Sequence, residues 1–286
     1  AYALWRRGVG APLKTRLPRV PARMHGAAGA IAAVAAIAMA GLGGWIFYNT
    51  NVLNDYRTQL DEERLTAEYE KALIGYEKVP QPRITDVTLD VALYPEEPRV
   101  VTRGSYVIEN RTGRPLEEVH VSWLRPLEMK TLEVEGATLS KDHGNYDYRI
   151  YRFDRPLAPL EKRRITFETL RGQQGFRNSG NEQRIVDNGT FLNNAEIAPF
   201  LGMSRNGLLQ DRAKRRKYGL PPELRPALLE DESARQFNGL RRDSDWVNSD
   251  ITVSTSADQL AVAPGYVESE TVAGGRRTVR YRSDAP

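Results

Sequence analysis

Residues able to do acid–base or metal chemistry are scarce in this chain. Its 286 residues include three histidines, His25, His120 and His143, and no cysteine. A catalytic zinc site takes three protein ligands drawn from His, Cys, Asp and Glu and keeps one position open. No two of these histidines stand three or four residues apart, so no helical ligand pair can form. The lack of cysteine excludes disulfide scaffolds, thiolate zinc fingers, iron–sulfur clusters and a thiol nucleophile. His120, between Val119 and Val121, is expected on the solvent face of a strand, and His143 in a turn. Gly172-x-x-Gly175 is too short for a phosphate loop and lacks its Lys-Ser/Thr. The scattered Ser, His and Asp residues form no nucleophile arrangement. Lys214-Arg215-Arg216-Lys217 reads as the solvated face of a helix, with acidic lipid or another domain as alternative contacts. Asn110-Arg111-Thr112 and Asn188-Gly189-Thr190 have the form of glycosylation acceptors, read as chance matches.

The elements that would position these residues divide into a membrane part and a β part. The mean hydropathy of −0.54 excludes a polytopic membrane protein but permits one spanning helix. Residues 1–25 carry six basic side chains and no acid; against +4 overall, residues 26–286 are left with −2. This placement favours membrane topology over nucleic-acid binding, and no nucleic-acid partner is expected. Gly26 to Tyr48 is a run of 23 residues without charge, about 34 Å as a helix and enough for a bilayer core. Trp45, Phe47 and Tyr48 would form an aromatic belt, with 1–25 cytoplasmic and the chain beyond about residue 50 exported. Its richness in Ala and Gly suits packing against other spanning helices. A buried helix of a soluble protein and a cleaved signal peptide, with Ala38-Met39-Ala40 as its small-x-small site, are the alternatives. The non-Met first residue reads as the start of a fragment.

Residues 52–78 are expected to be helical, ended by Pro80 and Pro82: a juxtamembrane stalk (49–82) or a helix packed on the following domain. From Arg83 the period becomes two. Strands are expected near 83–94, 99–109, 119–123, 131–139, 146–154, 162–170, 250–255 and 276–282. The fold class is therefore mainly β: an antiparallel saddle or sandwich-like domain over 83–286, after one transmembrane helix and the stalk helix. A helical insertion over about 203–242 interrupts it, with helices at Asn206–Tyr218 and about Pro222–Phe237.

Several phrases resemble a known family. Ile84-Thr85-Asp86-Val87, the LDVALYP run and Gly104-Ser105-Tyr106-Val107-Ile108-Glu109-Asn110 look like the opening strands of the β-domain in alanyl-aminopeptidase-family (gluzincin) zinc peptidases. Asn188 to Asn194, Pro199-Phe200-Leu201-Gly202 and the basic run to Tyr218-Gly219-Leu220 resemble a branch in which that peptidase is fused to an ABC-type transporter permease. The resemblance covers most of residues 40–286. It implies the last permease helix and a periplasmic β-domain in a bacterial inner membrane, with the zinc motif, and hence the zinc cofactor, downstream of the chain. The chain itself would lack a catalytic site. Implied partners are the lipid bilayer, other permease helices, the downstream peptidase-like domain and an ABC ATPase subunit. The family's β-domain lends a Gln or Glu to the first specificity pocket, and the matching stretch makes Asn193, Asn194 and Glu196 the substrate-binding candidates. The family's Ala-Arg pair and the acid after its Pro are missing here, and loop residues capping backbone groups are the alternative reading. Two rivals remain: an exported binding or coupling module of a transporter without peptidase activity, and a single-pass anchored β-domain for envelope adhesion.

Overall fold

The computed structural model describes residues 25–180, 182–205, 207–222, 228, 230–234 and 245–283. The chain divides into two compact units, Ala1–Tyr56 with Gln174–Gly180, and Arg57–Gln173 with Asn181–Pro286.

In the first unit, helix α1 (Gly26–Phe47) buries none of its residues and passes into a π-helical turn at Tyr48–Val52. The 27-residue stretch Gly26–Val52 is long and apolar enough to cross a membrane. The wider turn frees carbonyls of the last α-turn, and side chains replace the lost bonds. Asn49 Nδ2 donates to Trp45 O and Thr50 Oγ1 to Ile46 O, both at 2.9 Å. Asn54 Nδ2 then donates to Asn49 O at 2.9 Å and to Gln174 O at 2.8 Å, fastening residues 174–180 to the helix end. Gly175 has φ +59°, and a Cβ there would collide with the Asn49 amide oxygen.

In the second unit, helix α2 (Gln59–Leu73) begins later than expected. Thr58 caps it: Asp61 N donates to Thr58 Oγ1 at 3.2 Å, and Thr58 N donates to the Asp61 carboxylate at 3.0 Å. A 3₁₀ turn, Ile74–Tyr76, follows. The strands are β1 (Arg83–Tyr94), β2 (Arg99–Glu109), β3 (Leu116–Ser122), β4 (Leu127–Val134), β5 (Ala137–His143), β6 (Tyr148–Leu157), β7 (Lys162–Gly172), β8 (Ile185–Val186), β9 (Gly189–Thr190), β10 (Phe200–Leu201), β11 (Asn248–Ser256), β12 (Tyr266–Ala273) and β13 (Arg276–Arg282). They form a seven-stranded sheet, β12-β13-β11-β1-β2-β7-β4, a four-stranded sheet, β10-β3-β6-β5, and the hairpin β8-β9. The domain is mainly β as expected, but its large sheet is mixed, because β1 and β11 run parallel.

Period-two alternation explains the layers. On β3, Val119 and Val121 join Ile108, Phe153, Ile165 and Phe167 in the core between the sheets. The opposite face of the small sheet is buried too: Tyr148 and Ile150 of β6 pack with Leu73 of α2 and with Met203 and Leu208. Helix α2 is thus a third layer of the β-domain, which decides between the two readings of residues 52–78. Close packing also fixes Gly104 of β2, where a Cβ would lie 2.5 Å from Phe167 Cζ and 2.7 Å from Leu89 Cδ2.

The structure corrects three expectations. The strand expected over 131–139 is two, β4 and β5, split at Gly136, which has φ +62°. Helix α3 spans only Arg212–Lys217, since Asp211 caps it by accepting from Lys214 N at 2.8 Å. Most of the second insertion helix lies outside the described residues. The basic cluster is solvated only in part: Arg216 and Lys217 are exposed, but Arg215 is buried. The Arg215 side chain is 1% exposed and makes a two-pronged pair with Glu70 of α2, at 2% exposed, with N–O distances of 2.9 and 2.7 Å. Arg215 also donates to Pro221 O at 2.6 Å and Leu209 O at 2.7 Å. Lys214 and Lys217 face Glu63 of α2 at 2.8 and 3.6 Å.

Breaking a buried pair on one side leaves an uncompensated charge, so Arg215→Met or Glu70→Leu should each cost about 3–5 kcal/mol. The double variant should recover much of that loss, as read by urea unfolding. Gly104→Ala should cost about 1–3 kcal/mol by overpacking.

Candidate functional site

The segment that carries the sequence candidates is anchored from beneath by Arg171 at the end of β7. Its guanidinium is buried and gives two bonds to Glu182 Oε2, at 3.0 and 2.9 Å, and a longer one to Glu196 Oε1 at 3.4 Å. Arg184 pairs with the same Glu196 oxygen. The other oxygen, Oε2, accepts from Asn193 N at 2.9 Å. The backbone beyond is held as well: Thr169 Oγ1 donates to Ile197 O at 2.5 Å and Tyr106 OH to Pro199 O at 2.9 Å. Of the three candidates, Glu196 is therefore an internal anchor, 4% exposed, with both carboxylate oxygens engaged. Asn193 and Asn194 sit in and before the 3₁₀ turn Asn194–Glu196 and are exposed.

These two asparagines line a groove of about 760 Å³. One wall comes from α2 through Glu62, Thr66 and Tyr69; others come from Trp123–Arg125 after β3 and from Tyr146 and Asp147 before β6. Tyr69 and Tyr146 meet edge to face with centroids 6.1 Å apart. Arg125 pairs with Glu62 at 3.2 Å. The turn that presents Asp147 is strained: its φ is +54°, a left-handed conformation that Asp tolerates better than most residues. Its carbonyl accepts from Trp123 N at 3.1 Å, so the ring and the carboxylate are set by one local contact. Burial pushes the Asp147 carboxyl above its ordinary range, against the opposing fields of Arg125 and Arg57. The arrangement offers amide donors and acceptors, aromatic surface and one half-buried acid, which suits reversible binding of a polar chain with bulky side groups.

His120 is a correction: it is fully buried, not on a solvent face, because α2 and its 3₁₀ turn cover that side of β3. Its Nδ1 lies 2.5 Å from Tyr148 OH, its Nε2 lies 2.8 Å from Glu118, and the Tyr76 ring meets it edge-on at 5.1 Å. Burial lowers the His120 pKa, opposed by Glu118, which keeps this a structural imidazole without access to substrate. His143 ends β5 instead of occupying a turn. Sequence reasoning missed Trp123, Tyr69, Tyr146 and Asp147 as a group, since they come from three separate segments, joined by the pairing of β3 with β6 and the packing of α2.

A second depression, on the seven-stranded sheet, is closed by its own ion pairs, Arg103–Glu168 at 3.1 Å and Arg280–Asp250 at 2.6 Å. Among the described residues no group of three or more His, Asp or Glu side chains could hold a metal ion, so those residues do not fit a zinc centre.

No family profile and no curated protein matches the chain. Solved structures do. An M1 zinc metallopeptidase from Deinococcus radiodurans is similar at 16% identity over 73% of this chain and 42% of that one, with a TM-score of 0.41. A mutant of that organism's enzyme bound to a Tyr-Ser-Ala substrate matches at 13% identity over 73% and 42%, with a TM-score of 0.42. A two-domain M1 zinc metallopeptidase mutant bound to L-tryptophan matches at 17% identity over 75% and 43%, also with a TM-score of 0.42. The chain spans less than half the length of each.

The raised Asp147 pKa makes a stability prediction. An unfolded aspartate titrates near about 3.9, and this one titrates higher when folded, so its protonated form favours the fold. Its contribution is fully present below the unfolded pKa and is lost as pH rises through the folded one. Asp147→Asn should therefore leave the neutral-pH melting temperature unchanged or raised, and carbon-13 NMR should show the wild-type carboxyl titrating above the usual aspartate range.

Proposed function

We propose that the chain is a membrane-anchored, peptide-binding module. Its apolar helix would lie in a bacterial inner membrane as the last span of a permease region, and its β-domain would be periplasmic. There the groove would hold peptide for a zinc aminopeptidase domain downstream in the parent protein. The single observation that carries this reading is the groove, with Asn193 and Asn194 on its wall beside the Trp123 and Tyr69 rings. The aminopeptidase-like phrases in the sequence support the same reading. Asparagine amides can donate to and accept from a peptide backbone at once, at about 0.5–1.5 kcal/mol per bond. Glu196 would act only by holding that segment in place.

The other reading, an exported binding or coupling module of an ABC-type transporter without peptidase activity, uses the same apolar stretch Gly26–Val52 and differs in needing no zinc. Bilayer, permease helices and an ABC ATPase subunit are partners under both readings; zinc belongs only to the first, and no catalytic step is assigned to this chain.

The test is zinc content and aminoacyl hydrolysis of the purified parent. One zinc per chain is expected, removed by mutating a downstream histidine pair. Asn193→Ala and Asn194→Ala should each raise KM about 2- to 10-fold with little change in kcat. The 286-residue chain alone should not hydrolyse such substrates. A parent that binds peptide but carries no zinc and hydrolyses nothing would move the assignment to the transporter module.

A further inference from the structure

Asp147 is the less firmly held of the two acids that line the groove. Glu62 is taken by Arg125 at 3.2 Å and approached by Arg57 at 3.6 Å. Asp147 has no hydrogen-bond donor to its carboxylate among the described residues; its nearest cation is Arg125 Nε, 4.0 Å away. Its side chain is only 23% exposed. A half-buried acid without donors is costly to keep, and here it is also held at a left-handed backbone position. Residues held in sparsely populated backbone regions cluster at ligand sites.

The surroundings say what ligand. Trp123, Tyr69 and Tyr146 line the same groove, and aromatic faces attract cations through their quadrupole. The Trp123 indole already receives one: the Arg149 guanidinium lies 5.3 Å from its ring centroid, with Asp142 as its own partner at 3.0 Å. We infer that the groove holds a peptide-borne cation, an ammonium or a guanidinium, against Asp147 and the rings of Trp123, Tyr69 and Tyr146. This rests on the groove being the peptide site proposed above, and it names the peptides preferred there. The cation comes either from a free amino end or from a basic side chain.

The experiment is isothermal titration of the full chain in detergent at neutral pH with three tripeptide amides. Acetyl-Ala-norleucine-Ala is neutral, Ala-norleucine-Ala has a free amino end, and acetyl-Ala-Arg-Ala carries only a guanidinium. At least one cationic peptide should bind about 10-fold tighter than the neutral one, the size expected of a charge-assisted contact. Preference for the second peptide assigns the amino end; preference for the third assigns the side chain. Asp147→Asn should shrink the preference to about 2-fold or less without lowering the melting temperature. Equal binding of all three peptides would overturn the inference and leave the peptide groove standing. Binding of none would remove both. Loss of preference together with a lowered melting temperature would make Asp147 a structural residue and overturn the inference as well.

Discussion

The Glu70–Arg215 pair is the constraint on which the candidate site depends. Both side chains are essentially withdrawn from water, and each is satisfied by the other, with two further carbonyls on the arginine. Such a pair adds little net stability over an apolar isostere, because desolvation offsets the Coulomb gain. Its value is specificity of placement. It ties the helix that follows the apolar segment to the chain after β10, more than 140 residues later. Lys214, Lys217 and Glu63 extend the same contact at its rim. With α2 docked, the second face of the four-stranded sheet becomes interior, Leu73 meets Tyr148 and Ile150, and His120 loses its access to solvent. Undocked, the groove would lose the wall that carries Tyr69 and Glu62.

A second buried arginine, Arg171, sets the other side. It draws Glu182 and Glu196 together from either end of the β8–β9 excursion and so fixes the turn that exposes Asn193 and Asn194. The groove is thus framed by two guanidiniums, each acting on sequence-distant carboxylates. Inside this rigid frame the strained turn at Asp147 is tolerated, since the surrounding bonds over-determine it.

Much of the β framework was legible from alternation alone. The limits of β1, β2 and β13 follow from apolar residues at every second position with Pro, Asn or Gly at the ends, because each strand buries one face on the same core. Where that logic failed, the cause is tertiary. His120 sits on the polar phase of β3 and looks solvent-facing until a helix covers it. Arg215 sits in a run of four basic residues whose density suggests solvation, yet its guanidinium is buried against Glu70 of α2. The break at Gly136 was hidden inside a continuous alternating run. Strand β12 went unseen because all eight of its residues are exposed at the sheet edge, so no buried face imposes a pattern. Of the site, Asn193, Asn194 and Glu196 were reached through resemblance, and Asp147 carried no local signal beyond its place beside a Gly-Asn turn.

Hydrogen–deuterium exchange of the full chain in detergent, with and without saturating short peptide, tests the central claim most directly. The account predicts added protection confined to residues 62–69, 123–125, 146–147 and 193–195, the segments that only the docked α2 brings together. Protection on the face of the seven-stranded sheet around Arg103 and Glu168, or no change in those four segments, would contradict it.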